Sequence, residues 1–184
     1  MSSTPLQVTM GRLKVPATAD DHSRGPVDAP VTIVQYADFQ CPHSGAAVRN
    51  LRDLLRQRAD TVRLVYRHFP LVNVHPYAEM AAETAEAAGG RDRFWELHDW
   101  LFDHQEQLDP VHLSLGVQQV GVDVDTVSAE VNAHRWLDRV RAGFVGGIRT
   151  GVNGTPTFFV NGARHEGGYA LADLLAAVDA AGGA

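Results

Sequence analysis

The chain has 184 residues, of which 45% are hydrophobic and 21% are charged, a composition typical of a soluble globular domain with a core of its own. Its formal net charge is −6 and its Lys and Arg residues form no basic stripe, so binding to nucleic acid is not expected. No stretch approaches the roughly 20 apolar residues that cross a membrane, so no membrane span is expected.

Residues 1–27 are rich in Ser, Thr, Pro and Asp and are predicted to form a partly ordered N-terminal extension. The opening residues MSSTPLQVTM lack the basic start and the apolar run of a secretory signal. The single cysteine, Cys41, cannot form a disulfide within the chain. These features together predict a cytoplasmic location.

Residues 28–184 are predicted to form one domain that opens with a βαβ unit. The segment 31–36, VTIVQY, is β-branched and aromatic, as buried strands are. Apolar residues spaced by three and four predict a helix over 46–58, and alternation predicts a second strand over 61–68. A strand, a helix and a strand of these lengths imply parallel pairing with a right-handed crossover.

A helical insertion is predicted at about 75–145, since this stretch combines helical periodicity with helix start and stop signals. Its predicted helices are 77–88, 92–107, one that starts at Asp109-Pro110, and one or two within 123–143. Strand signals return at 157–160, TFFV, where Asn161-Gly162 predicts a tight hairpin to a strand over 163–166. A helix over 170–181 closes the chain. The predicted fold class is α/β. The βαβ unit and the hairpin supply a four-strand mixed sheet, and the final helix follows the hairpin.

Cys41-Pro42-His43-Ser44 lies where the first strand ends and the first helix begins. The unpaired N–H groups and the positive dipole end of a helix start stabilise a thiolate, which is the nucleophilic form of cysteine. The dipole alone lowers a thiol pKa by about one unit. Further hydrogen-bond donors are needed to reach the pKa of the most acidic cysteines. We therefore predict that Cys41 is catalytic, that His43 and Ser44 support its thiolate, and that Pro42 shapes the turn.

Simpler interpretations exist for the same residues. An isolated cysteine is often a small buried hydrophobe, and Ser44 is also a favourable residue for the start of a helix. No metal site is predicted, because His98 and His104 are six positions apart on different helix faces and the chain has no His-Glu-x-x-His motif.

Four segments carry a resemblance to a known family: GPVDAPVTIVQYADFQCPHSG, YRHFPLVNVHPYAEMAAETAEAA, FWELHDWLF and GVNGTPTFFVNG. They resemble DsbA-like thioredoxin-fold proteins, and most of all the thioredoxin-like domains fused to bacterial sodium/proton antiporters. The resemblance implies a thioredoxin fold and thiol–disulfide oxidoreductase activity. It also implies that Pro156 follows a cis peptide bond beside Cys41 and that Thr155 offers its backbone to an extended substrate peptide.

The sequence departs from the family pattern at two positions. Ser44 replaces the second cysteine of Cys-x-x-Cys, and Gln35 replaces a buried acid that many relatives carry. A single thiol can form mixed disulfides with protein or glutathione thiols, but an external thiol must resolve them. Glutathione is one candidate co-substrate, and no tightly bound cofactor is expected. Ser44 is either native or an engineered replacement of a cysteine.

Two other functions stay open. The chain is alternatively a redox-inactive module that binds peptides or a partner protein beside Pro156, or it has a glutathione-linked detoxification role. The sequence makes no prediction of the oligomeric state.

Overall fold

A computed structural model describes residues 11–182. The strands are β1 (His22–Arg24), β2 (Val31–Ala37), β3 (Val62–His68), β4 (Thr157–Val160) and β5 (Ala163–Arg164). The helices are α1 (Pro42–Gln57), α2 (Ala78–Gly89), α3 (Phe94–Asp103), α4 (Pro110–Gln119), α5 (Val124–Asn132), α6 (Leu137–Thr150) and α7 (Leu171–Gly182). The strands form one mixed sheet in the order β1-β3-β2-β4-β5.

The predicted βαβ unit is confirmed, because β2 and β3 pair in parallel with Val31 opposite Val62. Alternate residues of β2 face opposite sides of the sheet, as strand geometry requires. Ile33 packs in a cluster with residues of α1 and α7, whereas Val34 and Tyr36 pack with Phe69 and the neighbouring Phe144 of α6. Helices therefore cover both faces of the central strands.

The predicted hairpin is also confirmed. Val160 pairs with Ala163, so Asn161 and Gly162 form a two-residue turn, and both have positive φ, +46° and +79°. Asn and Gly tolerate this left-handed region better than other residues do. Asn161 also accepts a hydrogen bond from the backbone N–H of Thr32 at 2.8 Å, which ties the turn to the central strand.

The prediction of four strands is wrong, because β1 adds a fifth. It lies inside the predicted extension and pairs antiparallel to β3, with His22 opposite Tyr66. Its three residues, HSR, carry no apolar signal, and side-chain bonds such as the Arg24 ion pair with Asp99 hold it instead. Residues 1–10 of the predicted extension lie outside the described residues.

The start of the first helix also differs from the prediction, since α1 begins at Pro42 rather than at residue 46. Proline suits the first helical position, where no intrahelical partner is needed for its missing N–H. The polar residues that follow it carry no apolar periodicity, so the pattern hid the first turn. The helices of the predicted insertion extend to Thr150.

A buried carboxylate, Glu86, joins this helical block to the sheet. Its oxygens are hydrogen-bonded to His22 Nε2 at 3.0 Å and His68 Nε2 at 2.9 Å, and accept from Arg139 Nε at 2.6 Å. Burial by itself raises the pKa of Glu86, but the bonds from His22 and His68 outweigh burial and hold the pKa well below its ordinary value. The carboxylate therefore stays ionised in the folded protein.

We expect Glu86→Gln to lower the free energy of unfolding at pH 7 by about 3 kcal/mol, because it removes the charge from a buried ionic cluster. Since the folded pKa lies below the ordinary value of 4.5, the stabilisation by Glu86 is complete above pH 4.5 and is lost as the pH falls toward the folded pKa. Urea unfolding at a series of pH values measures both effects.

The control is Glu96→Gln, because Glu96 is half-exposed and its ion pair with Arg93, three positions away, is half-exposed as well. It should change the stability by less than about 0.5 kcal/mol. Equal losses in the two variants, or an unchanged slope of stability with pH in Glu86→Gln, would contradict the role of Glu86.

Candidate active site

Cys41 occupies the N-cap position of α1, at the carboxyl end of β2. Its backbone is extended and its side chain makes no capping hydrogen bond. The thiol instead donates to the backbone oxygen of Thr155, with the sulfur 3.2 Å from that oxygen. This bond belongs to the protonated thiol, since a thiolate has no proton to donate. Cys41 is only 4% exposed, so little of its side chain meets solvent.

The Thr155-Pro156 peptide bond is cis, and it lies directly before β4. The bond between Cys41 and Thr155 joins residues that are 114 positions apart in the chain. The structure therefore brings the two predicted parts of the site, the cysteine motif and the Thr155-Pro156 motif, into direct contact.

The other two polar groups of the motif make contacts with residues outside it. His43 is exposed, and its Nδ1 lies 2.6 Å from the hydroxyl of Tyr169. Ser44 is fully buried, and its hydroxyl accepts a hydrogen bond from the N–H of Asp38 at 3.4 Å. Ser44 thereby ties the first turn of α1 back to the end of β2. The support that we predict from both side chains for the thiolate stays a prediction.

Asp38 organises the turn that precedes Cys41. Its side chain is fully buried and accepts hydrogen bonds from the backbone N–H of Gln40 at 2.7 Å and of Leu71 at 2.8 Å. It also bonds to His75 Nδ1 at 2.8 Å. The sequence analysis missed Asp38, although an aspartate that precedes a turn often bonds to the backbone two residues later.

Gln105, from the segment between α3 and α4, braces the same turn from the helical block. Its side-chain amide donates to the backbone oxygens of Phe39 at 2.7 Å and Cys41 at 2.9 Å. An added Cβ at Gly45 would lie 1.8 Å from the side-chain oxygen of Gln105, so a larger residue there would displace the Gln105 amide. No local sequence signal marks Gln105, because its partners are more than 60 positions away.

Gln35 lies beneath this site on β2 and is fully buried. Among residues 11–182, its side-chain amide finds no hydrogen-bond partner, and neither does the buried Nε2 of His98 that faces the same small cavity. Burial lowers the pKa of His98 to about 4 despite its bond to Asp99, so the ring is neutral at pH 7. The region beneath α1 therefore contains polar groups but no buried acid at position 35.

A family model described as thioredoxin matches residues 17–180. The chain belongs to the thioredoxin family. Among solved structures it is similar to oxidised BdbD from Bacillus subtilis, with a TM-score of 0.82, 19% identity, and coverage of 95% of this chain and 98% of that chain. It is also similar to a thioredoxin-like oxidoreductase from Silicibacter pomeroyi, with a TM-score of 0.81, 25% identity and coverage of 91% and 95%. The same fold is found in DsbA proteins, such as α-DsbA1 of Wolbachia pipientis, with a TM-score of 0.80, 19% identity and coverage of 91% and 93%.

Curated relatives of this thioredoxin-family chain include Na(+)/H(+) antiporters. The chain is 46% identical to NhaA 1 of Salinispora arenicola over 170 residues, which are 92% of this chain and 26% of that protein. It is 36% identical to NhaA 1 of Mycolicibacterium vanbaalenii over 180 residues, which are 97% of this chain and 29% of that protein. The chain thus spans about a quarter of the length of these relatives.

Two further observations concern residues 11–182. Across this range, no helix has both the length and the apolar character needed to cross a membrane. Within it, no cluster of three or more His, Cys, Asp or Glu side chains is arranged to hold a metal ion.

We expect Gln105→Ala to lower the free energy of unfolding by about 1–2 kcal/mol, because the backbone oxygens of Phe39 and Cys41 both lose a hydrogen bond and the Cys41 oxygen keeps only its bond from the N–H of Gly45. Urea unfolding measures the change. Gln107→Ala is the matched control, since Gln107 is an exposed neighbour in the same segment and should change the stability by less than about 0.5 kcal/mol. A loss no larger in Gln105→Ala than in the control would show that Gln105 does not brace the turn.

Proposed function

We propose that the protein carries out thiol–disulfide exchange through one nucleophilic cysteine, Cys41. The thiolate of Cys41 attacks one sulfur of a substrate disulfide, a mixed disulfide forms, and the other substrate sulfur leaves as a thiolate. Because Ser44 cannot attack the mixed disulfide, an external thiol completes the exchange and regenerates Cys41. The substrates are disulfides of proteins or of glutathione.

The observation that carries the proposal is the contact between Cys41 at the start of α1 and the backbone of Thr155. A helix start favours a thiolate, and an extended peptide that binds along the neighbouring cis-proline segment would lie beside the sulfur. In this proposal Pro42 shapes the first turn of α1, and Thr155 and Pro156 align the substrate.

The pairing of Ser44 with Gln35 supports a native single-thiol site. A buried acid at position 35 has a use when a second thiol at position 44 must lose its proton. With a serine at position 44 that proton transfer is not needed, and the amide of Gln35 cannot perform it. A glutathione-rich reducing compartment such as the cytoplasm would supply the external thiol that the cycle requires.

A second candidate function is a partner-binding module without redox activity. Two observations favour it. Cys41 is nearly buried, and the curated relatives are antiporters of which this chain matches about a quarter of the length. In that case the surface beside Pro156 binds a protein segment, and replacing Cys41 with alanine leaves the binding unchanged.

We expect incubation with oxidised glutathione at pH 7 to add one glutathione to Cys41, because the proposed attack on its disulfide bond leaves a mixed disulfide. Intact-mass spectrometry detects the adduct, and Cys41→Ser is the control that should give none. Absence of an adduct in the wild-type protein would contradict exchange through Cys41 and favour the binding module.

We expect Ser44→Cys to supply a second thiol that attacks the mixed disulfide from within the protein. After oxidised glutathione is added, the mixed disulfide should convert to an internal disulfide with release of glutathione, which intact mass detects as loss of the adduct and of two hydrogen atoms. Ser44→Ala should keep the adduct. Persistence of the adduct in Ser44→Cys would show that position 44 cannot reach the Cys41 sulfur.

A further inference from the structure

Tyr169 lies over the first turns of α1 without belonging to the cysteine motif. Its hydroxyl lies 2.6 Å from His43 Nδ1, and the two rings meet edge-on with centroids 6.1 Å apart. The backbone oxygen of Tyr169 accepts from the side-chain amide of Asn50 in α1 at 2.8 Å. The tyrosine is thus fixed by both its backbone and its hydroxyl.

The segment that carries Tyr169 is also held internally. His165 Nε2 lies 2.8 Å from the backbone oxygen of Gly168, so the chain between β5 and α7 has a defined path. The hydroxyl of Tyr169 therefore reaches His43 from a segment whose backbone is itself hydrogen-bonded.

The contact leaves one ring nitrogen of His43 available. The hydroxyl donates to Nδ1 when the imidazole is neutral and accepts from it when the ring is protonated, so Nδ1 is engaged in both states. Nε2 is then the nitrogen that an incoming molecule can meet, and the contact limits rotation of the exposed ring.

We infer that Tyr169 is a positioning residue that holds His43 so that Nε2 serves the leaving thiolate in disulfide exchange. This inference rests on the proposed function of Cys41. The sulfur of Cys41 bonds to one substrate sulfur and the disulfide bond breaks. The departing thiolate takes the proton from Nε2 of protonated His43, which becomes neutral and is reprotonated by solvent.

The test compares two reagents that differ in their leaving group. Oxidised glutathione releases a thiolate that gains from a proton donor, whereas iodoacetamide releases iodide, which needs none. Rates of both reactions are normalised to the thiolate fraction, measured from its ultraviolet absorbance. Tyr169→Phe should slow the glutathione reaction about fivefold, the factor that one lost hydrogen bond gives, and change the iodoacetamide rate less than about twofold.

A double-mutant cycle shows whether Tyr169 acts through His43. His43→Ala should slow the glutathione reaction by at least as much, and adding Tyr169→Phe to it should have no further effect. Tyr77→Phe is the matched control, since the Tyr77 hydroxyl bonds to no side chain or backbone group within residues 11–182, and both rates should stay unchanged. Asn50→Ala removes the hydrogen bond to the backbone of Tyr169. Like Tyr169→Phe, it should slow the glutathione reaction more than the iodoacetamide reaction.

Two results would overturn the inference. Equal slowing of both reagents in Tyr169→Phe would mean a general effect on the fold, and an undiminished effect in the His43→Ala background would mean that Tyr169 does not act through His43. Failure of the proposed function itself is distinct, because wild-type protein would then form no adduct at Cys41.

Discussion

The contact between the Cys41 sulfur and the backbone oxygen of Thr155 is the constraint on which the site depends. It follows from strand register, since β2 and β4 pair antiparallel with Tyr36 opposite Thr157. The chain leaves β2 toward Cys41 at the same edge where it enters β4 from Pro156. A shift of register by one residue would turn the side chains of β4 to the other face and separate the two motifs.

Around this contact, buried polar groups fix the backbone rather than the sulfur. Asp38, Ser44 and Gln105 all bond to backbone atoms between β2 and the first turn of α1. The bond of Ser44 is buried and the bonds of Asp38 and Gln105 are part-buried, and a lost hydrogen bond costs more in such places than at the surface. Three side chains therefore hold the backbone of this turn. The exposed His43 is held separately by Tyr169. Such an arrangement positions the sulfur of Cys41 through backbone contacts.

The chemistry of a single thiol differs from that of a pair mainly in how it ends. A resolving cysteine releases a mixed disulfide from within, and without one the lifetime of the mixed disulfide is set by external thiols. Ser44 is buried in the first turn of α1, where its hydroxyl accepts a hydrogen bond from the backbone N–H of Asp38. Gln35 and His98 leave the region beneath it polar but without a carboxylate at position 35.

The sequence by itself determined the βαβ unit, the hairpin turn at Asn161-Gly162, the helical block and the cysteine motif at a helix start. These features are encoded within a few residues, by periodicity, turn chemistry and capping preference. Only the tertiary structure revealed β1, Gln105, Asp38 as a hub and Tyr169 as the partner of His43. Their bonds join residues that are between two and 126 positions apart, and most of them span more than 30. Local patterns carry no record of such pairings, because burial and register decide them only when the chain is folded.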